Sequence, residues 1–136
     1  MTIQDPVASR KKTVLLFLPG GTERWPLEEE LTTRGHRVTS AFSAEDVLLM
    51  TSYIKYDLIV TEIDVRDELG LSLPRTIKKK SPGTVILGLI SPGSTLNIEK
   101  LQSLGIEEVF LGPEDLLKSP LLTPIIDEEG QTSQAE

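Results

Sequence analysis

Five times along the chain a short apolar run gives way to turn residues and then to a stretch whose apolar positions recur three or four apart. Thr13–Leu18 is β-branched and apolar and stops at Pro19-Gly20-Gly21, which predicts a buried strand and a turn. Pro26 suits a first helical turn, where its missing N–H costs nothing, and Glu28, Glu29 and Glu30 follow at the positive end of the helix dipole. Leu27 and Leu31 share one face of that helix and Gly35 closes it; Trp25, ahead of Pro26, is expected to bury against its start, the alternatives being that it covers the loop or meets a partner. Arg37–Ala41 is a short alternating strand, and Ser43 with an acid three residues on, Asp46, reads as a helix N-cap. The helix behind it carries Val47, Leu48, Met50 and Ile54 toward a core. Asp57–Glu62 is an apolar run that breaks into carboxylates, and a helix from about Gly70 to Lys80 then stops at Ser81-Pro82-Gly83. Thr84–Ile90 is a fourth strand, and Ser91-Pro92-Gly93-Ser94 a turn. A helix from about Thr95 to Leu104 ends at Gly105, and Glu107–Leu111 is a fifth strand. The helix starting near Glu114 meets Pro120 and Pro124, which remove donors and clash with the preceding turn, so it should be short.

Near-continuous apolar strands alternating with amphipathic helices predict a parallel sheet covered on both faces. With right-handed crossovers the expected fold is α/β, a flavodoxin-like doubly wound five-stranded parallel sheet of strand order 2-1-3-4-5, with a shortened last helix. We expect residues 1–12 to form a flexible leader, 13–122 the domain and 123–136 a polar tail.

Composition narrows the function. A net charge of −7 argues against nucleic acid as a partner, because phosphate binding wants a basic face. The apolar runs are too short to cross a bilayer and the first twelve residues lack the apolar core of a secretory signal, so we expect a cytoplasmic protein without a membrane partner. With no cysteine and a single histidine, His36, there is no thiolate chemistry, disulfide or histidine-rich metal cluster. His36 itself reads as a surface or packing residue, and the run Lys78-Lys79-Lys80 as a solvated helix C-terminus.

Three segments, in order and at matching spacing, resemble response-regulator receiver domains over residues 13 to 120. Asp57-Leu58-Ile59-Val60-Thr61-Glu62, with Gly70 eight residues on, is similar to the receivers' third strand, which ends in the phosphoacceptor aspartate. Gly105-Ile106-Glu107-Glu108-Val109-Phe110-Leu111-Gly112-Pro113 is similar to the segment that carries their lysine. Arg34–Val38, leading to Ser43–Leu48, resembles their second strand and helix. The resemblance makes Glu62 the phosphoacceptor equivalent, Ser91 and Val109 the switch equivalents, and Gly112-Pro113 the lysine position, with a cis peptide between them. It also exposes departures. The acidic pair that would hold Mg²⁺ after the first strand is absent from Leu18-Pro19-Gly20-Gly21, glutamate replaces aspartate, and the lysine is gone.

Phosphoryl transfer to a carboxylate brings two anions together and relies on metal and cation neutralisation. Lacking both, the chain resembles a pseudo-receiver: not an enzyme, with no cofactor and no metal site. Glu62 either imitates a phosphorylated state or is a solvated carboxylate at a strand end, and the second reading is favoured because its switching partners are missing. The leading function is a signalling module related to two-component phosphorelay regulators, acting by protein–protein interaction without Asp phosphorylation. Its partner would be a signalling protein or a second copy, docked on the fourth helix, fifth strand and last helix. The thinner cover there should leave Leu116, Leu117, Leu121 and Leu122 available. Two alternatives stand beside it. A divergent receiver could be phosphorylated on Asp64 with Mg²⁺, since a two-residue shift keeps Asp64 on the face of Glu62. A small-ligand or nucleotide binder could use the turn Gly20-Gly21-Thr22, whose N–H groups could meet an anion, although the chain shows no aromatic pair to sandwich a ring.

Overall fold

The computed structural model describes residues 11–19, 21–63, 68–90 and 98–124. Strands β1 (Thr13–Phe17), β2 (Arg37–Ala41), β3 (Leu58–Glu62), β4 (Val85–Ile90) and β5 (Glu108–Leu111) alternate with helices α1 (Arg24–Thr33), α2 (Ala44–Tyr53), α3 (Glu68–Lys80), α4 (Ile98–Ser103) and α5 (Pro113–Leu116). All strand pairs are parallel, in the order β2-β1-β3-β4-β5, so the sheet is the flavodoxin-like one expected.

Strand periodicity of two divides the core into two layers. Leu15, Phe17, Ile59, Ile86 and Ile90 pack with Val47 of α2, Leu73 and Ile77 of α3 and Leu101 of α4. Val14, Leu16, Leu58, Val60, Leu87 and Leu89 face Leu27 and Leu31 of α1 and Leu116 of α5. Burial on both faces explains why β3 and β4 read as unbroken apolar runs.

Local signals act as their chemistry requires. Gly35, at φ +99°, lets the chain wrap back so that its own N–H reaches Thr32 O (2.9 Å) and the His36 N–H reaches Leu31 O (3.1 Å), satisfying the last carbonyls of α1. Gly105 repeats the motif after α4 with Ile106 N–H on Leu101 O. The Ser43 hydroxyl accepts from Asp46 N–H at 3.0 Å and caps α2. Pro74 lies inside α3, which continues past it because Leu73 and Ile77, four apart, are both buried.

Four expectations need correction. Ile54 follows α2 in extended conformation and is exposed, whereas Met50 packs against the core. Lys78 is not merely solvated: its ammonium donates to Thr84 O (2.8 Å) and reaches a Glu107 carboxylate oxygen (2.7 Å), whose other oxygen accepts from Ile86 N–H. That staple joins α3 to β4 and to the segment entering β5. The last helix is short, as expected, but it does not bare its leucines. Leu116 and Leu122 are fully buried, and Leu117 and Leu121 pack against the core, because a 3-10 turn, Pro120–Leu122, continues the cover where α5 stops. The Gly112–Pro113 peptide is trans: Gly112, at φ +93°, makes the turn itself and delivers Pro113 to the first position of α5, where a proline ring fits.

The C-terminal segment is fastened by side chains from the far edge of the sheet. One Arg34 guanidinium nitrogen donates to both Leu117 O and Leu122 O, each at 2.8 Å. Buried His36 accepts from Lys12 N–H through Nδ1 (3.1 Å), which leaves Nε2 as the donor to Thr123 O (2.9 Å). Lys12, assigned to the leader, is itself buried.

Candidate functional site

Open parallel sheets bind at the C-terminal ends of their strands, and in this order the switch point lies between β1 and β3. Glu62 is the last residue of β3, beside Leu89 of β4. Alternation from Leu58 and Val60 turns its side chain to the α1 layer. The chain after β1 crosses that space through Gly21, which takes φ +106°, to Thr22 just ahead of α1.

The two meet directly. The Thr22 hydroxyl donates to one Glu62 oxygen at 2.5 Å, and the Thr22 N–H lies 3.3 Å from both carboxylate oxygens. Glu62 is only 6% exposed, so the expectation of a solvated carboxylate is overturned. The reason is that its side chain reaches the loop after β1, where Thr22 binds it. The turn Gly20-Gly21-Thr22 does present an N–H to an anion, and the anion is the protein's own side chain. Gly20 lies outside the described residues.

The other sequence-assigned positions fall apart in space or out of view. Val109 points into the α2–α4 layer and is half-buried against it, while Phe110, the aromatic residue of β5, turns to the opposite layer. Gly112 carries no side chain toward the site, and a cleft of about 400 Å³ opens beside it, lined by Thr22, Glu23, Pro26, Leu27, Pro113, Glu114 and Leu117. Asp64 and Ser91 lie outside the described residues. Among the described residues no group of three or more His, Cys, Asp or Glu could hold a metal ion, and no helix is long and apolar enough to cross a membrane.

Sequence reasoning named Trp25 as a partner contact only second to burial and did not single out Phe42. Trp25, expected to be buried, is 69% exposed. Helical geometry explains it: Trp25 lies two residues before Leu27, about 200° away around the helix, so burying the leucine faces the indole outward. Phe42, just after β2, is equally exposed, and the Arg24 guanidinium sits 4.4 Å from its ring centre. Trp25 and Phe42 line one cleft of about 490 Å³ with Phe17 and Ala41.

Comparison places this fold. No family model matches the chain, and no curated protein does. Solved structures do. A response regulator receiver protein from Pseudomonas putida is 27% identical, with a TM-score of 0.67 over 80% of this chain and 92% of that one. The response regulator TrrA from Thermotoga maritima, solved with Mg²⁺ and BeF, is 25% identical at a TM-score of 0.62, over 74% of this chain and 85% of that one. An atypical orphan response regulator described with a phosphorylation-independent regulatory mechanism is 18% identical at a TM-score of 0.62, covering 77% and 89%. This chain has the receiver-domain fold.

Proposed function

We propose that this chain is a pseudo-receiver: a non-catalytic module of two-component signalling that acts by protein–protein interaction without phosphorylation of an aspartate. Its similarity to response-regulator receivers supports the signalling role. The observation that carries the finer reading is the engagement of Glu62. Its carboxylate is buried and bound by the Thr22 hydroxyl and N–H, in the place where a phosphoryl group would need metal and cation. The loop after β1 offers no acidic side chain in Leu18-Pro19 or Gly21-Thr22, and Gly112 offers no ammonium. A phosphoryl donor arriving here meets a carboxylate already committed, and among the described residues no group of carboxylates or histidine stands ready to hold a metal that would neutralise the second charge.

As a module of this kind it is a cytoplasmic protein whose partner, a signalling protein or a second copy, docks on α4, β5 and α5. Leu111, 58% exposed at the end of β5, gives that face an apolar contact, a role the sequence assigned to leucines of which Leu116 and Leu122 are buried and Leu117 and Leu121 half-buried. The domain itself is residues 13–122, with leader and tail as flanks.

Acetyl phosphate with Mg²⁺ tests the reading by intact-mass measurement. The expected result is an unmodified chain. A stoichiometric acyl phosphate overturns the proposal, and its loss in Asp64→Asn protein would establish the divergent-receiver alternative instead.

A further inference from the structure

The exposed aromatic groups beside the site take no part in the Glu62–Thr22 contact or in the α4, β5 and α5 face. Trp25 stands in the first turn of α1 and Phe42 in the loop leaving β2, both 69% exposed, with a cleft between them floored by buried Phe17 and Ala41. Phe42 already has a cation, since Arg24 lies over its ring. Trp25, the better ring for such a contact, shares its cleft with Arg24, whose charge lies over Phe42, and is otherwise flanked by carboxylates. Glu23 shares the first cleft with it, and Glu28 and Glu29 share a second, of about 340 Å³, that continues along α1 past Thr32, Thr33 and Val38. The surface is thus apolar at its centre and acidic at its rim, on a chain of net charge −7.

We propose that this face docks a basic segment of another protein. An arginine or lysine of the partner stacks on the Trp25 indole with its charge toward Glu29 and Glu23, since Glu28 is already held by Arg24 at 3.6 Å and by the Ser40 hydroxyl, and a flanking apolar side chain fills the cleft between Trp25 and Phe42. Trp and Arg are the residues that dominate binding at such centres, and a carboxylate rim steers a cation to them. Charge selects this occupant over a second copy. A symmetric contact would set Glu23, Glu28 and Glu29 against their own images, which like-charge repulsion opposes. The face lies on the β2 side of the sheet, away from β5. The inference rests on reading the chain as an interaction module, but it holds for unphosphorylated protein, so its failure and a positive acetyl phosphate result are separate outcomes.

Trp25 is the single tryptophan, so its fluorescence reports this face alone. Three synthetic peptides of equal length are the probes: arginine/leucine, glutamate/leucine and arginine/serine. The arginine/leucine peptide should shift the emission to the blue saturably and bind more weakly as salt rises. The glutamate/leucine peptide should do nothing, and the arginine/serine peptide should bind more weakly. Reversing the exposed rim with Glu23→Lys and Glu29→Lys should weaken arginine/leucine binding by about tenfold with an unchanged melting temperature. Trp25→Ala, followed by calorimetry, should weaken it as well. No saturable shift, an equal response to the acidic peptide, or unaltered binding by the charge-reversed protein overturns the proposal. So does a blue shift that grows with protein concentration alone, which would make the face a contact between copies.

Discussion

A carboxylate drawn out of water must recover its lost hydration from donors of the chain, and Thr22 supplies two to Glu62. Thr22→Val keeps the shape and the N–H but removes the hydroxyl, leaving the buried oxygen short of a donor. The expected cost is about 1–3 kcal/mol, read from urea unfolding. In a Glu62→Gln background the same replacement should cost less, because the acceptor is then uncharged. The site was partly legible at this scale. Glu62, Gly112 and the Gly20-Gly21-Thr22 turn were visible as unusual residues, each weighed separately. That Thr22 and Glu62, forty residues apart, bind each other depended on which face of β3 carries the side chain, and strand spacing alone does not disclose its neighbour. Trp25 was misread for the opposite reason. Its outward direction is contained in its distance from Leu27, whereas residue type alone, an aromatic ahead of a proline, points to burial.

Among the elements, His36 joins three: the residue ahead of β1, the start of β2 and the segment after the 3-10 turn. Burial lowers its pKa from 6.5; the carbonyl of Thr123 opposes that shift, and Lys12, with Arg34 beyond, reinforces it. The neutral ring is therefore the one the fold prefers, since protonation would destroy the acceptor for Lys12 N–H. The unfolded chain binds the proton more readily. The contribution is complete above about pH 6.5 and declines as pH falls toward the lowered folded value, by up to about 1.4 kcal/mol per pH unit. Denaturant titrations of wild type and His36→Gln across that range should converge as pH drops; a parallel pair of curves would remove His36 from the account. Strands and caps were readable because each has a local cause, as in the unbroken apolar runs of β3 and β4, Ser43 before α2 and the glycines after α1 and α4. The C-terminal cover was not. Pro120 ended the helix as expected, yet Leu122 is buried by a 3-10 turn held through Arg34, a partner 88 residues away.

Across the whole molecule, phosphoryl chemistry at such a sheet edge is distributed over loops from β1, β3 and β5, so no single replacement restores it. Glu62→Asp protein treated with acetyl phosphate and Mg²⁺ should remain unmodified, because Leu18-Pro19-Gly20-Gly21 still supplies no acidic pair and Gly112 still lacks an ammonium. Phosphorylation of that variant would mean that one methylene, rather than missing charge, silences the domain. The imidazole of His36 has a geometric consequence as well. It touches Lys12 with one nitrogen and Thr123 with the other, so the entrance and the exit of the folded unit are neighbours. A unit of that shape behaves as a cassette. A version closed into a ring across that seam by a brief tether and reopened at the exposed Gly83 turn should therefore keep its fold, which thermal unfolding would read.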